Sequence, residues 1–298
     1  MKLIAGSSNI PFAEELGEKL GIPLVATQLS TFANGERRVR ITERLAGEDV
    51  VLVQSFSEPV DTHIIEFLLL VDAAERLGAR NIHVLIPWMG YSLQDKVFLP
   101  GEPIAAKVIA NLVAASAIRR VYLLDLHSNS IPGFFSTPTV HISALELFAA
   151  HVKARFDMSQ VIVASPDFGG LKRARQFAES LSVPLVNIDK HRDLETGEVT
   201  AVNVHGTVAG KIVVLFDDVI LSGGTVKEAS ELLKKHGASE THFYATHGLF
   251  TQNAATLLST SDIDSIVITN SFHHTELPKK VSVLDVTAAF VTELEDWL

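Results

Sequence analysis

Short runs rich in Val, Ile and Leu recur along the whole chain, and segments with helical spacing alternate with them. This alternation constrains the fold more than any other feature, because a strand that is apolar at every position must be buried on both faces. Candidate strands fall at residues 2–5, 49–54, 81–86, 120–125, 160–164, 211–216, 240–246 and 265–269. Candidate helices fall at 10–20, 61–77, 104–115, 144–155, 170–179 and 225–236. The order predicts βαβ units, hence an α/β protein with mainly parallel sheets flanked by helices.

A chain of 298 residues has room for two domains of ordinary size. An internal echo suggests that they are alike. Residues 50–53 begin a strand, then come a polar loop, an apolar helix, Gly78-Ala79 and a second strand at 82–86. Residues 212–215 begin the same order, with Gly237-Ala238 before the strand at 242–245. Each Gly follows a helix, where a left-handed C-cap is needed. Since βαβ units resemble one another in any case, the echo leaves duplication open. The expected division is 1–142 and 143–283, with a C-terminal helix at 284–298 packed back onto the first domain.

Several function classes drop out on composition. An apolar content of 47% excludes a disordered chain. A net charge of −10 gives no global attraction for nucleic acid, so an anionic substrate would need a local cationic pocket. The absence of cysteine removes disulfides, zinc–thiolate sites and cysteine nucleophiles. The opening MKLIAGSSNIPF has too short an apolar run for a signal-peptide core, and no stretch reaches membrane-spanning length. A cytoplasmic protein without membrane or nucleic-acid partners is expected.

The segment VVLFDDVILSGGT, residues 213–225, carries the clearest chemistry. A buried strand is expected to end in Asp217 and Asp218, followed by a loop holding Ser222, Gly223, Gly224 and Thr225 and then a helix. Glycines let backbone N–H groups approach an anion, and a helix start adds partial positive charge. Ionised carboxylates only accept hydrogen bonds, which suits the vicinal hydroxyls of a sugar. Together the segment fits a phosphorylated sugar. A tight turn with Ser or Thr capping the helix would use the same residues. The spacing is not that of a Walker-type loop.

Acid-acid before a small-residue loop ending in Gly-Thr resembles the phosphoribosyl-diphosphate loop of type I phosphoribosyltransferases. Upstream, FANGE (32–36), PWMGYSLQD (87–95), GEPIAAK (101–107), DLHS (125–128), SPDFGGLKR (165–173) and IDKHR (188–192) are similar, in order and spacing, to ribose-phosphate pyrophosphokinases. The likeness runs from about residue 3 to residue 269. It implies two type I phosphoribosyltransferase-like domains and transfer of the diphosphoryl group of Mg-ATP to the C1 hydroxyl of ribose 5-phosphate. It further implies that Phe32, Asn34, Glu36, Gln94, Asp95 and His127 contact ATP, with Phe32 stacking on adenine. Asp217, Asp218 and residues 221–225 would hold ribose 5-phosphate. His127 and Asp167 would contact Mg²⁺, and Lys190 and Arg192 would be the catalytic cations of a mobile loop. In the family the adenine contacts come from a neighbouring subunit, so the resemblance implies a homo-oligomer, dimer-based and up to a hexamer. Without the family pattern, Asn34-Gly35 reads as a hairpin turn, His127 as a structural histidine, and Lys190 to Arg192 as a solvated hairpin.

The pattern also departs from the family. Where most members carry A-R-Q-D-R, this chain has Ser92-Leu93-Gln94-Asp95-Lys96. Leu93 removes a cation, and Lys96 keeps a charge but loses the planar fork of arginine. Leu221 stands where many members have a third acid, and Asn34 where Asp is commoner. Two other readings follow: a paralogue with a different sugar phosphate or nucleotide donor, and a non-catalytic regulatory relative. Retention of Asp167, Lys190, Arg192, Asp217 and Asp218 argues against the regulator.

Overall fold

Runs such as Asp49–Val53 and Val161–Ser165 are buried almost throughout, so they can only be inner strands with helices on both sides. The computed structural model describes residues 1–167, 169–192, 199–251 and 253–295. The chain divides into two α/β units.

The first unit takes residues 1–143, 271–273 and 285–298. Its elements are β1 (Lys2–Ala5), α1 (Ile10–Leu20), β2 (Thr27–Thr31), β3 (Arg37–Ile41), β4 (Asp49–Val53), α2 (Val60–Arg76), β5 (Asn81–Ile86), α3 (Ala105–Ala114), β6 (Arg120–Leu124) and β7 (Thr139–Ile142). The parallel sheet runs β1-β4-β5-β6-β7. Leu52, Val84 and Leu123 on one sheet face pack with Phe67 of α2 and Ile109 of α3. Strands β2 and β3 form a separate antiparallel hairpin.

The second unit takes residues 144–270 and 274–284. It contains α4 (Leu145–Arg155), β8 (Val161–Ser165), α5 (Leu171–Leu181), β9 (Leu185–Arg192), β10 (Val199–His205), β11 (Ile212–Ile220), α6 (Gly224–Lys235), β12 (Glu240–Gly248), α7 (Ala254–Ser259), β13 (Ser265–Thr269) and β14 (Val281–Leu284). The sheet order is β10-β9-β8-β11-β12-β13-β14, parallel except for β10 at one edge. Phe177 of α5 stacks on Phe216 of β11 with centroids 4.1 Å apart, and α6 covers the other face through Val226, Ala229 and Leu233. From β8 the chain steps outward to β9, then returns to place β11 on the opposite side. This reversal makes a switch point between β8 and β11, and the crevice beyond the carboxyl ends of two such strands is where open α/β sheets take their ligands.

The last helix, α8 (Thr287–Glu295), belongs to the first unit, where Phe290 meets Phe12 of α1 edge-on at 5.3 Å. The expected helix at 284–298 therefore begins later than residue 284, because Val281–Leu284 completes the second sheet beside β13. Among the described residues no helix is long and apolar enough to cross a membrane.

Candidate functional site

The switch point is lined by the segments that the sequence singled out. β11 pairs with β8 only as far as Leu215, opposite Ala164, but with β12 as far as Ile220. Asp217 and Asp218 thus lie inside the strand rather than at its end, correcting the sequence reading. They fall on the stretch where β11 has lost its neighbour on the β8 side. The loop shrinks to Leu221, Ser222 and Gly223, while Gly224 and Thr225 already belong to the first turn of α6.

Both acids share one guanidinium. Arg173, on the first turn of α5, donates through Nη1 to Asp217 Oδ1 at 3.0 Å and to Asp218 Oδ1 at 2.9 Å. Asp217 Oδ1 also accepts from the Asp218 backbone N–H at 2.9 Å. Burial pushes the Asp217 pKa up, the charge on Asp218 and the carboxyl–carboxyl hydrogen bond push it further, and Arg173 opposes them. Asp167 also raises it, from the loop after β8. There Asp167 Oδ1 accepts from Gly170 N at 2.9 Å, and Ser165 Oγ donates to the Asp167 carbonyl at 2.6 Å. A methyl group on Gly170 would come 3.3 Å from Asp217 Oδ1 and 3.7 Å from Asp167 Oδ1, so this backbone lies between the two carboxylates.

The two loop glycines differ in what they require. Gly223 has φ 80°, and a Cβ there would be 3.0 Å from Leu258. At Gly224 a Cβ would meet only Ser222 Oγ, at 3.8 Å. Gly223→Ala is therefore expected to lower stability by about 1 kcal/mol or more. Gly224→Val should keep the fold and change only what the loop binds. Urea unfolding of the two variants checks this, and equal losses would show that the turn does not depend on the left-handed Gly223.

In the first unit, Phe32 to Glu36 form the exposed tip of the β2–β3 hairpin. Phe32 is 48% exposed, and the Arg38 guanidinium lies 5.6 Å from its ring centroid. The tip is closed by Phe32 N–H to Glu36 O (2.8 Å) and by Asn34 Oδ1 accepting from Glu36 N (3.2 Å). Gln94 and Asp95 are half-buried ahead of α3, as is Leu93, and Lys96 lies 5.2 Å from the Phe98 ring centroid. His127 is exposed on the loop after β6. Lys190 and Arg192 lie on β9, but their side chains and the whole of 193–198 fall outside the described residues.

The arrangement brings two adjacent carboxylates and a glycine-containing helix start together at one switch point. Residues 1–116 match the N-terminal domain of ribose phosphate pyrophosphokinase, and residues 185–293 match the phosphoribosyl synthetase-associated domain. A ribose-phosphate pyrophosphokinase of Fusobacterium nucleatum is 38% identical over 99% of this chain and 94% of its own. The chain belongs to the ribose-phosphate pyrophosphokinase family. A second such protein, from Agrobacterium fabrum, is 41% identical over 92% of this chain and 88% of its own. The crystal structure of phosphoribosylpyrophosphate synthetase from Mycobacterium smegmatis superposes with a TM-score of 0.92 at 31% identity, covering 99% of this chain and 97% of that one.

Within this pyrophosphokinase frame, sequence reasoning missed the part played by Arg173. The residue stood in the SPDFGGLKR motif without a role. Its position three residues after Gly170, facing a strand with two adjacent acids, was the available signal. It also missed Glu66, a fully buried carboxylate of α2. A lone Glu inside the apolar run IIEFLLLV was the cue there.

Proposed function

We infer that this chain transfers the diphosphoryl group of Mg-ATP to the C1 hydroxyl of ribose 5-phosphate, giving phosphoribosyl diphosphate and AMP. The observation that carries the reading is the acid pair and glycine loop at the β8–β11 switch point, in a chain of this family. Asp217 and Asp218 accept hydrogen bonds from the ribose hydroxyls. Residues 221–225 receive the 5-phosphate with backbone N–H groups, the Ser222 and Thr225 hydroxyls and the start of α6. Phe32, Asn34 and Glu36 meet adenine from a neighbouring subunit, Gln94, Asp95 and His127 serve the rest of the nucleotide, and the assembly is a dimer-based homo-oligomer.

His127 and Asp167 are each assigned to Mg²⁺. Among the described residues there is no group of three or more metal-ligating side chains. That suits a small ion which keeps several waters and takes one or two protein carboxylates together with substrate phosphates. Asp167 offers a hard oxygen donor within reach of the sugar-binding acids. When bound, the ion would neutralise charge on the diphosphoryl oxygens. The chain itself supplies position: the acid pair fixes the sugar so that its C1 oxygen lies in line with the group to be transferred. Lys190 and Arg192 are assigned to the charge that grows on the oxygen leaving with AMP.

Product analysis tests the assignment. AMP and phosphoribosyl diphosphate are expected in equal amounts, and only with a divalent metal. ADP as the nucleotide product would mean single phosphoryl transfer and would sink it. Leu93 favours running the same assay with other nucleoside triphosphates, since the missing cation relaxes the hold on the ATP polyphosphate.

A further inference from the structure

Glu66 is buried to zero exposure in the first unit, and its carboxylate is fully engaged. Oε1 accepts from Ser7 N (2.7 Å), Ser7 Oγ (2.8 Å) and Gln54 Nε2 (3.0 Å), while Oε2 forms an ion pair with Arg37 Nη2. Gln54 is locked in turn, its Oε1 accepting from Ser8 N (3.1 Å) and Ser8 Oγ (2.7 Å). A buried carboxylate needs a counter-charge, and Arg37 is the cation that supplies it. Burial alone would lift the Glu66 pKa, yet the hydrogen bonds of Ser7 and Arg37 hold it below the usual range.

Arg37 is the first residue of β3 and follows Glu36 directly. The hairpin has no backbone ladder to the five-stranded sheet. A two-stranded hairpin is marginal by itself, so side chains must fix it. Along β3 the inward positions are Arg37, Val39 and Ile41, with Arg38 and Arg40 exposed. Val39 and Ile41, with Leu29 of β2, pack on the core at the base. Arg37 is the inward position nearest the tip. Its guanidinium also grips the opposite strand, with Nη1 donating to Thr31 Oγ1 at 3.0 Å, and Thr31 pairs with Arg37 across the hairpin. Its Nε is buried without a partner among the described residues, so the side chain serves Glu66 and Thr31 at some cost to itself. Apolar contacts slide, whereas a charged fork held by a rigid carboxylate fixes direction.

We propose that Arg37, clamped by buried Glu66, is a positioning residue for the nucleotide: it aims the tip carrying Phe32, Asn34 and Glu36. The nucleotide part rests on the adenine assignment made above. The test uses the full-length protein as Arg37→Met and as Arg37→Met with Glu66→Gln, which leaves no uncompensated buried charge. Amide hydrogen exchange of residues 32–36 reads the aim of the tip, and steady-state kinetics read its use. Exchange is expected to speed up and KM for ATP to rise at least about tenfold, with kcat at saturating ATP and KM for ribose 5-phosphate unchanged. Arg37→Lys should recover part of both. Unchanged exchange in the folded double variant would overturn the proposal, as would an equal loss in every kinetic parameter. Phe32→Ala separates the two layers. If it leaves KM for ATP unchanged, the adenine assignment fails and exchange alone decides the anchor. If it raises KM for ATP while the Arg37 variants do not, the anchor has no role in binding.

Discussion

Lys190→Ala is expected to lower kcat by about 10²–10³ while KM for both substrates changes little and thermal stability holds. The assigned work of Lys190 and Arg192 is done when the bond to AMP is breaking and negative charge grows on the departing oxygen. A contact stronger in the transition state than in the ground state appears in kcat, whereas one equal in both appears in KM. Lys190 pairs with Ala201 and Arg192 with Val199 in an antiparallel ribbon at the sheet edge, two strands away from the acid pair. If the two cations act on the same charge as proposed, the double alanine variant should be scarcely slower than the slower single one. Single-turnover assays with both substrates saturating check this. A variant with a raised KM for ATP and an untouched kcat would confine Lys190 to ground-state binding.

What could be read from the sequence divides along burial. Strands such as β4, β8 and β13 are apolar at nearly every position because helices cover both faces, and such runs announce themselves. The hairpin strands TQLST and RRVRI gave only a turn signal, since one face is wet and seven of their ten residues are polar. β14 is missed for a similar reason, with only its last residue, Leu284, falling in the expected C-terminal helix: VSVL is too short to show a period, and its strand state comes from pairing with β13. The extent of β11 was underread because two acids interrupt its apolar run, yet pairing with β12 continues through them. The candidate site divides differently. Asp217, Asp218 and the glycines were visible because their chemistry is local to one segment. The hold of Arg173 on the acids depends on how α5 leaves β8, and the hold of Glu66 on Arg37 joins positions far apart in sequence. Neither geometry is encoded in a local motif.

Arg173→Met is expected to destabilise the second unit by about 3 kcal/mol at pH 8, and by clearly less at pH 5. The guanidinium it removes is shared by two side chains with only 15% and 3% exposure, so water replaces it poorly on the acids left behind. In the intact protein burial and Asp218 already raise the Asp217 pKa, and Arg173 restrains the rise. A carboxyl with a folded-state pKa above its unfolded value, near 4, binds more protons folded than unfolded. Its contribution to stability therefore falls as pH rises from the ordinary carboxylate range through the raised value. Without Arg173 that value climbs further. At pH 5 the folded pair keeps a proton between the two acids and the penalty is small. At pH 8 the pair must either ionise without a counter-charge or hold a proton against the solvent, and the penalty is largest. Melting temperatures of the two proteins at both pH values, without substrates and with a chelator present, measure the difference. A deficit independent of pH would mean that Arg173 contributes packing alone. If the acid pair holds the ribose hydroxyls as proposed, binding should follow the same order, since protonation turns one acceptor of the pair into a donor: Arg173→Lys, which restores a cation without the fork, should regain stability at pH 8 before it regains affinity for ribose 5-phosphate.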